Sequence, residues 1–255
     1  MKKVSLILSS LVVIMIIISC GSKNSNEVST INDSSKTKEL PITNDTSKTK
    51  ELPITNEITI GNQVWMNKNL NVDKFRNGDP IPEAKTFEEW EIACNNRKPV
   101  WCYYNFDSTN GEKYGKLYNV FAFRDGRNLA PEGFRLPNDN DWITLVNFLG
   151  GTEAPDAGKK LKSTSDWMNN GNGTNIYGWS GLPGGFINGK FEDGGKGGDW
   201  WGGKALKNDS QGDSYSLGSE HDRLIHNETI NNENLGISVR CRVYRVNIQV
   251  NNQNF

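Results

Sequence analysis

Two histidines and three acids crowd into SEHDRLIHNE, which carries Glu220, His221, Asp222, His226 and Glu228. These residue types could ligate a metal or trade protons. The histidines stand five apart, however, rather than at the i, i+4 spacing of a helical metal pair, and no HExxH or CxxC accompanies them. A solvated or structural loop is the favoured reading. Asp193 and Asp199 flank GGKGG, Gly194 to Gly198. Glycines let carbonyls turn toward a hard cation, so these two acids are the calcium candidates, without a residue-level motif that demands the ion. GGKGG has the glycines of a phosphate cradle but not the strand-to-helix setting. Trp179, Trp200 and Trp201 lie in the same glycine-dense stretch and are ligand-binding candidates, because an indole offers a flat amphipathic platform for a sugar ring. The competing reading makes them core.

The cysteines divide by position. Cys94 sits in a helical stripe as a small hydrophobe would. Cys102 shares a strand face with Val100 and Tyr104, and Cys241 alternates with Ile237, Val239 and Val243. Outside the cytoplasm thiols tend to pair, so Cys102 to Cys241 is the expected bridge, with Cys94 to Cys102 as the alternative. The fourth, Cys20, follows an N-terminal segment. Lys2 and Lys3 precede an uncharged run, Val4 to Ser19 (VSLILSSLVVIMIIIS), shorter than the roughly 20 apolar residues of a spanning helix and typical of a secretory signal. Ile17-Ile18-Ser19-Cys20 resembles a bacterial lipobox, so residues 1–19 are expected to be cleaved and Cys20 to carry lipid. Each buried CH₂ contributes about 0.8 kcal/mol, and two or three acyl chains hold a protein at a membrane without any protein interface. Gly21 stands where a retention signal favours Asp, which points to the outer membrane.

Residues 20–56 are Ser, Thr, Asn, Lys and Glu with few apolar residues, a composition unable to offset its ordering entropy. Asn32 to Thr43 (NDSSKTKELPIT) recurs as Asn44 to Thr55 (NDTSKTKELPIT). The segment is expected to be a disordered tether with an r.m.s. span of roughly 30–36 Å. The whole chain has 29 Lys+Arg against 30 Asp+Glu and is 35% hydrophobic. That excludes a many-spanning membrane protein and a nucleic-acid binder relying on bulk positive charge. Every Trp falls between Trp65 and Trp201, so the foldable part is 57–246, with 247–255 a polar tail.

Within that domain, Ile58 to Ile60 and Gln63 to Trp65 around Gly61-Asn62 read as a hairpin. Thr86 with Glu89 forms a capping box ahead of a short amphipathic helix. Asn138 caps a second helix with the stripe Trp142, Leu145, Val146 and Leu149, stopped by Gly150-Gly151. Strand-like pieces cover Val100 to Tyr104, Lys116 to Phe123, Gly185 to Ile187, Tyr215 to Leu217 and Gly236 to Val243. Gly171 to Gly203 reads as a long irregular region packed by aromatics. The fold class is α+β.

Five segments carry a resemblance: Trp65 to Pro82 (WMNKNLNVDKFRNGDPIP), Trp101 to Phe123 (WCYYNFDSTNGEKYGKLYNVFAF), Leu129 to Trp142 (LAPEGFRLPNDNDW), Gly181 to Phe186 (GLPGGF) and Gly236 to Cys241 (GISVRC). Together they resemble the Fibrobacter succinogenes major paralogous domain. That family is frequent in surface or secreted bacterial lipoproteins and is in turn similar to the formylglycine-generating, sulfatase-modifying variant of the C-type lectin fold. RLPNDNDW resembles the RLP-x-x-x-EW element of that superfamily, with Asp141 where Glu is usual. The resemblance implies a C-type-lectin-like domain in which calcium is sometimes used. It also implies a reactive cysteine pair before the closing strand in a true enzyme, and Trp200 to Asn234 contains no Cys. The expectation is therefore a lipid-anchored, non-catalytic binding or adhesion protein for a glycan or protein ligand, with no cofactor required. A structural surface-layer component and a diverged sulfatase-modifying-type enzyme are the alternatives.

Overall fold

The computed structural model describes residues 56–203, 211–230 and 233–244, with the side chains at 229 and 230 excepted. The expected signal segment, Cys20, the tandem repeat and the tail 247–255 lie outside the described residues. All described residues belong to one compact unit, Leu52–Phe255. No helix among them is long and apolar enough to cross a membrane.

Strand β1 (Glu57–Ile60) turns through Gly61 into β2 (Gln63–Met66). Helix α1 (Phe87–Asn95) starts where the Thr86 hydroxyl accepts the Glu89 amide at 3.1 Å. Strand β3 (Trp101–Cys102), a 3₁₀ turn (Tyr104–Phe106) and α2 (Asn110–Tyr114) follow, then β4 (Leu117–Asn119), α3 (Val120–Phe123) and β5 (Phe134–Arg135). Helix α4 (Asp139–Leu149) is closed at its N-terminus by a reciprocal Asn138–Asp141 capping box and stops at Gly150, whose φ is +120°. Helix α5 (Ala157–Leu161) precedes β6 (Gly184–Asn188), β7 (Phe191–Gly194), β8 (Gly197–Trp201), β9 (Gly212–Gly218), β10 (Leu224–Ile230), β11 (Leu235–Ile237) and β12 (Arg242–Val243). The described strands pair antiparallel into three sheets, ordered β1-β2-β12-β5, β10-β9-β8 and β3-β4-β11-β6-β7. The architecture is α+β, mostly antiparallel sheet with short helices.

The core falls into three clusters. One gathers Trp65, Trp142, Trp167, Trp179, Trp200 and Tyr215 beneath α4. A second holds Trp101, Tyr118, Phe121, Trp201, Ile237 and Cys241, and a third Trp90, Cys94, Val100, Cys102 and Leu117. Cys94, Cys102 and Cys241 are all free and buried, so the expected Cys102 to Cys241 bridge is not formed. Both cysteines are buried as expected but in different clusters, and the one-face alternation does not hold: Val100 to Tyr104 is strand only at Trp101–Cys102, and the intervening Trp101 and Arg240 are buried as well. Burial raises all three thiols, to about 11 at Cys94, about 12 at Cys241 and well above the ordinary value at Cys102.

Three strand expectations also change. Lys116 to Phe123 is not one strand: Asn119 ends β4, and its side-chain oxygen accepts the Ala122 amide at 2.9 Å, starting α3. Gly236 to Val243 is split, because Ser238, Val239 and Cys241 give their carbonyls to the amides of Trp201, Leu70 and Met66 rather than to a continuous ladder. Gly171 to Gly203 is more regular than expected, since it contains β6, β7 and β8. Its glycine neighbours allow this packing: a Cβ at Gly212 would collide with the Trp201 ring.

Candidate functional site

The chain returns on itself at Asp193 to Gly197, where Asp193 (φ +57°) and Gly195 (φ +80°) both adopt the left-handed region. Strand β8 then pairs with β9, placing Asp199 directly opposite Ser216. The Asp199 backbone is fixed from the other side, since its carbonyl accepts the Ser238 amide at 3.0 Å. The turn from β9 to β10 is stapled from beneath by Lys162, which is fully buried. Its ammonium donates to the Gly218 carbonyl at 3.2 Å, the His221 carbonyl at 3.0 Å and the Asp222 carboxylate at 3.1 Å. Three hydrogen bonds offset the desolvation of that charge.

Between hairpin and turn lies a cleft of about 340 Å³, lined by Asp193, Lys196, Asp199, Ser216, Glu220 and His221 among others. Glu220 is held by the Asn169 amide, and the Ser216 hydroxyl donates to Asp199. Burial pushes the Asp199 carboxyl up to about 6; the Ser216 bond pulls it down in part, and the nearby Asp193 charge adds to the rise. Three carboxyl groups against one lysine give the cleft a negative field that favours cations. His221 has a buried Nδ1 with no hydrogen-bond partner.

The structure thus brings together Asp193, Asp199, Glu220 and His221 from the sequence candidates and separates the others. Asp222 faces away to Lys162 and Lys159. His226 pairs with the buried carboxylate of Asp213 at 3.1 Å and ends a parallel ring stack, Trp142 to Tyr215 at 4.2 Å and Tyr215 to His226 at 4.3 Å. Glu228 is exposed on β10. No group of three or more His, Cys, Asp or Glu side chains is placed to hold a metal ion among the described residues.

The tryptophan platform is overturned. Trp179, Trp200 and Trp201 are each 1% exposed. Trp200 donates to the Asn69 side-chain oxygen at 2.8 Å and Trp201 to the Tyr118 carbonyl at 2.9 Å, while the Arg240 guanidinium lies 4.7 Å from the Trp179 ring centre. Indoles buried this completely, two of them hydrogen-bonded to their surroundings, are core elements. Sequence reasoning passed over Lys162, Arg240 and Asn69, whose residue types give no signal of burial.

The model of the Fibrobacter succinogenes major domain matches residues 58–242, spanning α1, α4, the hairpin and the cleft. The chain belongs to this family. The match ends within β12, so the family domain contains nearly every described element. No curated protein and no solved structure matches the chain.

Proposed function

We propose that this member of the Fibrobacter succinogenes major domain family is a non-catalytic recognition module. A lipid on Cys20 holds it at an extracytoplasmic membrane surface, and the Asp199 cleft takes an amine-bearing or hydroxyl-rich group of a glycan or protein ligand. The observation that carries the reading is Asp199 itself: a carboxyl group on a paired strand, partly desolvated, lining an open cleft of negative charge. A cation entering there relieves the cost of ionising Asp199. The raised thiols support the non-catalytic part, because nucleophilic cysteines are depressed rather than raised. The C-type-lectin-like assignment belongs to the same proposal. It is supported by RLPNDNDW, in which Arg135 and Asp141 form a two-pronged ion pair at the start of α4.

An array of glycans and peptides probed with the Leu52–Phe255 unit, with and without calcium, tests the reading. Retention of amine-bearing ligands that is lost in Asp199→Asn supports it; a blank array overturns it.

A further inference from the structure

A second groove, of about 410 Å³, lies across the Gly194–Gly195 segment from the acidic cleft. Its apolar wall is Tyr104, Tyr114 and Met168. The Tyr104 ring rests directly on the hairpin, for a Cβ at either Gly185 or Gly194 would collide with it. Its hydroxyl oxygen accepts the Gly194 amide at 3.1 Å. The Met168 amide donates to the Gly195 carbonyl at 2.8 Å, while its residue remains 51% exposed. The wall is therefore rigid in backbone and open in side chain.

The polar rim is made by Asn105, Asn110, Lys113 and Asp166. Asn110 spends its amide N–H on the Tyr104 carbonyl at 2.9 Å, which fixes the side chain. Asn105, exposed and at φ +56°, makes no side-chain hydrogen bond among the described residues. Lys113 and Asp166 neutralise each other, and the Lys113 ammonium stands 5.0 Å from the Tyr114 ring centre. Phe106 and Asp166 also hold positive φ, at +54° and +78°.

This lining discriminates between ligand classes. An ion finds no unpaired counter-charge here, and a wholly apolar ligand would desolvate the Lys113–Asp166 pair without replacing its water. A neutral pyranose offers both an apolar C–H face for the wall and hydroxyls that donate and accept along the rim, and the groove lies within the size range of small-ligand sites. We infer that the Tyr104–Tyr114 groove is a binding site for a neutral saccharide ring. The inference goes beyond the amine-binding reading of the acidic cleft and stands without it.

The full chain in detergent is titrated with the methyl glycosides of glucose, galactose and mannose and with N-acetylglucosamine, read by saturation-transfer NMR and calorimetry. At least one probe is expected to bind, with Kd of about 1 mM and transfer concentrated on its ring C–H protons. Asn105→Gly preserves the left-handed backbone and removes the amide, and Tyr114→Ala removes part of the wall. Each is expected to weaken binding at least about fivefold. The thermal unfolding of Asn105→Gly is expected to be unchanged, which separates lost binding from lost fold. Absence of transfer from all four probes, or an affinity unmoved by Asn105→Gly, overturns the inference. Binding weakened by Asn105→Gly reports on this groove and binding lost in Asp199→Asn reports on the cleft, so failure at one site is a distinct result from failure at the other.

Discussion

Arg240 and Asn69 meet through a single oxygen. Nε and Nη2 of the guanidinium donate to Asn69 Oδ1 at 3.2 and 2.6 Å, and Trp200 Nε1 donates to the same atom. Arg240 is 1% exposed and has no carboxylate partner among the described residues. Burial lowers its pKa to about 9. The side-chain nitrogen of Asn69 reaches the Tyr114 carbonyl at 2.9 Å and Ser238 Oγ at 3.2 Å. One amide thus joins the loop after β2, the end of α2, strand β8 and the segment between β11 and β12.

Asn69→Leu leaves a buried guanidinium short of acceptors and is expected to destabilise by about 3–5 kcal/mol. Arg240→Met removes the charge itself and is expected to cost less, because a buried ionic group replaced by an apolar one of similar volume is often close to neutral. Urea denaturation of both variants checks the order; the reverse order would contradict the assignment.

Asp141 has three tasks at the start of α4. It completes the capping box with Asn138, pairs with Arg135 and lies 3.5 Å from Arg242 Nε. Asp141→Ala is expected to lower stability by at least about 2 kcal/mol. Asp139→Ala, one residue into the helix, removes only a first-turn charge and is expected to cost under about 1 kcal/mol. Equal losses in thermal unfolding would remove the special role given to Asp141.

The three domain cysteines are expected to behave as buried thiols. In native protein Cys94, Cys102 and Cys241 should resist alkylation, all three should react after unfolding in denaturant, and a reductant should leave Tm where it was. A fall in Tm on reduction would show a disulfide.

The raised carboxyl of Asp199 makes stability depend on pH. Its folded value of about 6 lies above the ordinary 3.8, so the folded state binds the proton more tightly. Its contribution is fully present below the unfolded value and is lost as pH rises toward and through about 6. The total is at most about 3 kcal/mol. Asp199→Asn should flatten that part of the curve of stability against pH; an unchanged slope would place the titration elsewhere.

Much of the scaffold was legible because it is written locally. The hairpin at Gly61 and the caps Thr86 and Asn138 rest on residues within a few positions of each other. The reciprocal box forms at Asn138–Asp141 while the Glu89 carboxylate accepts the Lys85 amide rather than that of Thr86, yet the hairpin and both caps were found where the pattern put them. The tryptophans and cysteines were not, because their fate depends on which distant surface covers them. Trp179, Trp200 and Trp201 have the chemistry of a binding platform and are closed over by Trp142 of α4, by Arg240 and, at Trp201, by Tyr118 and Phe123. Cys102 and Cys241 sit on core faces of different clusters, a distinction that alternation along one strand cannot carry. The acidic cleft was half legible: Asp193, Asp199 and His221 were singled out separately, but only the β8–β9 register and the Lys162 staple bring them to one cavity.

Affinity against pH for an amine-bearing probe tests the central claim most directly. Tetralysine and glucosamine are titrated calorimetrically at low salt from about pH 5 to about pH 7, across the Asp199 pKa of about 6. If the cation binds the ionised carboxyl, affinity rises about tenfold over that interval, and Asp199→Asn binds weakly with no such rise. A flat profile in the native protein, or equal affinity in Asp199→Asn, would contradict the assignment of the cleft.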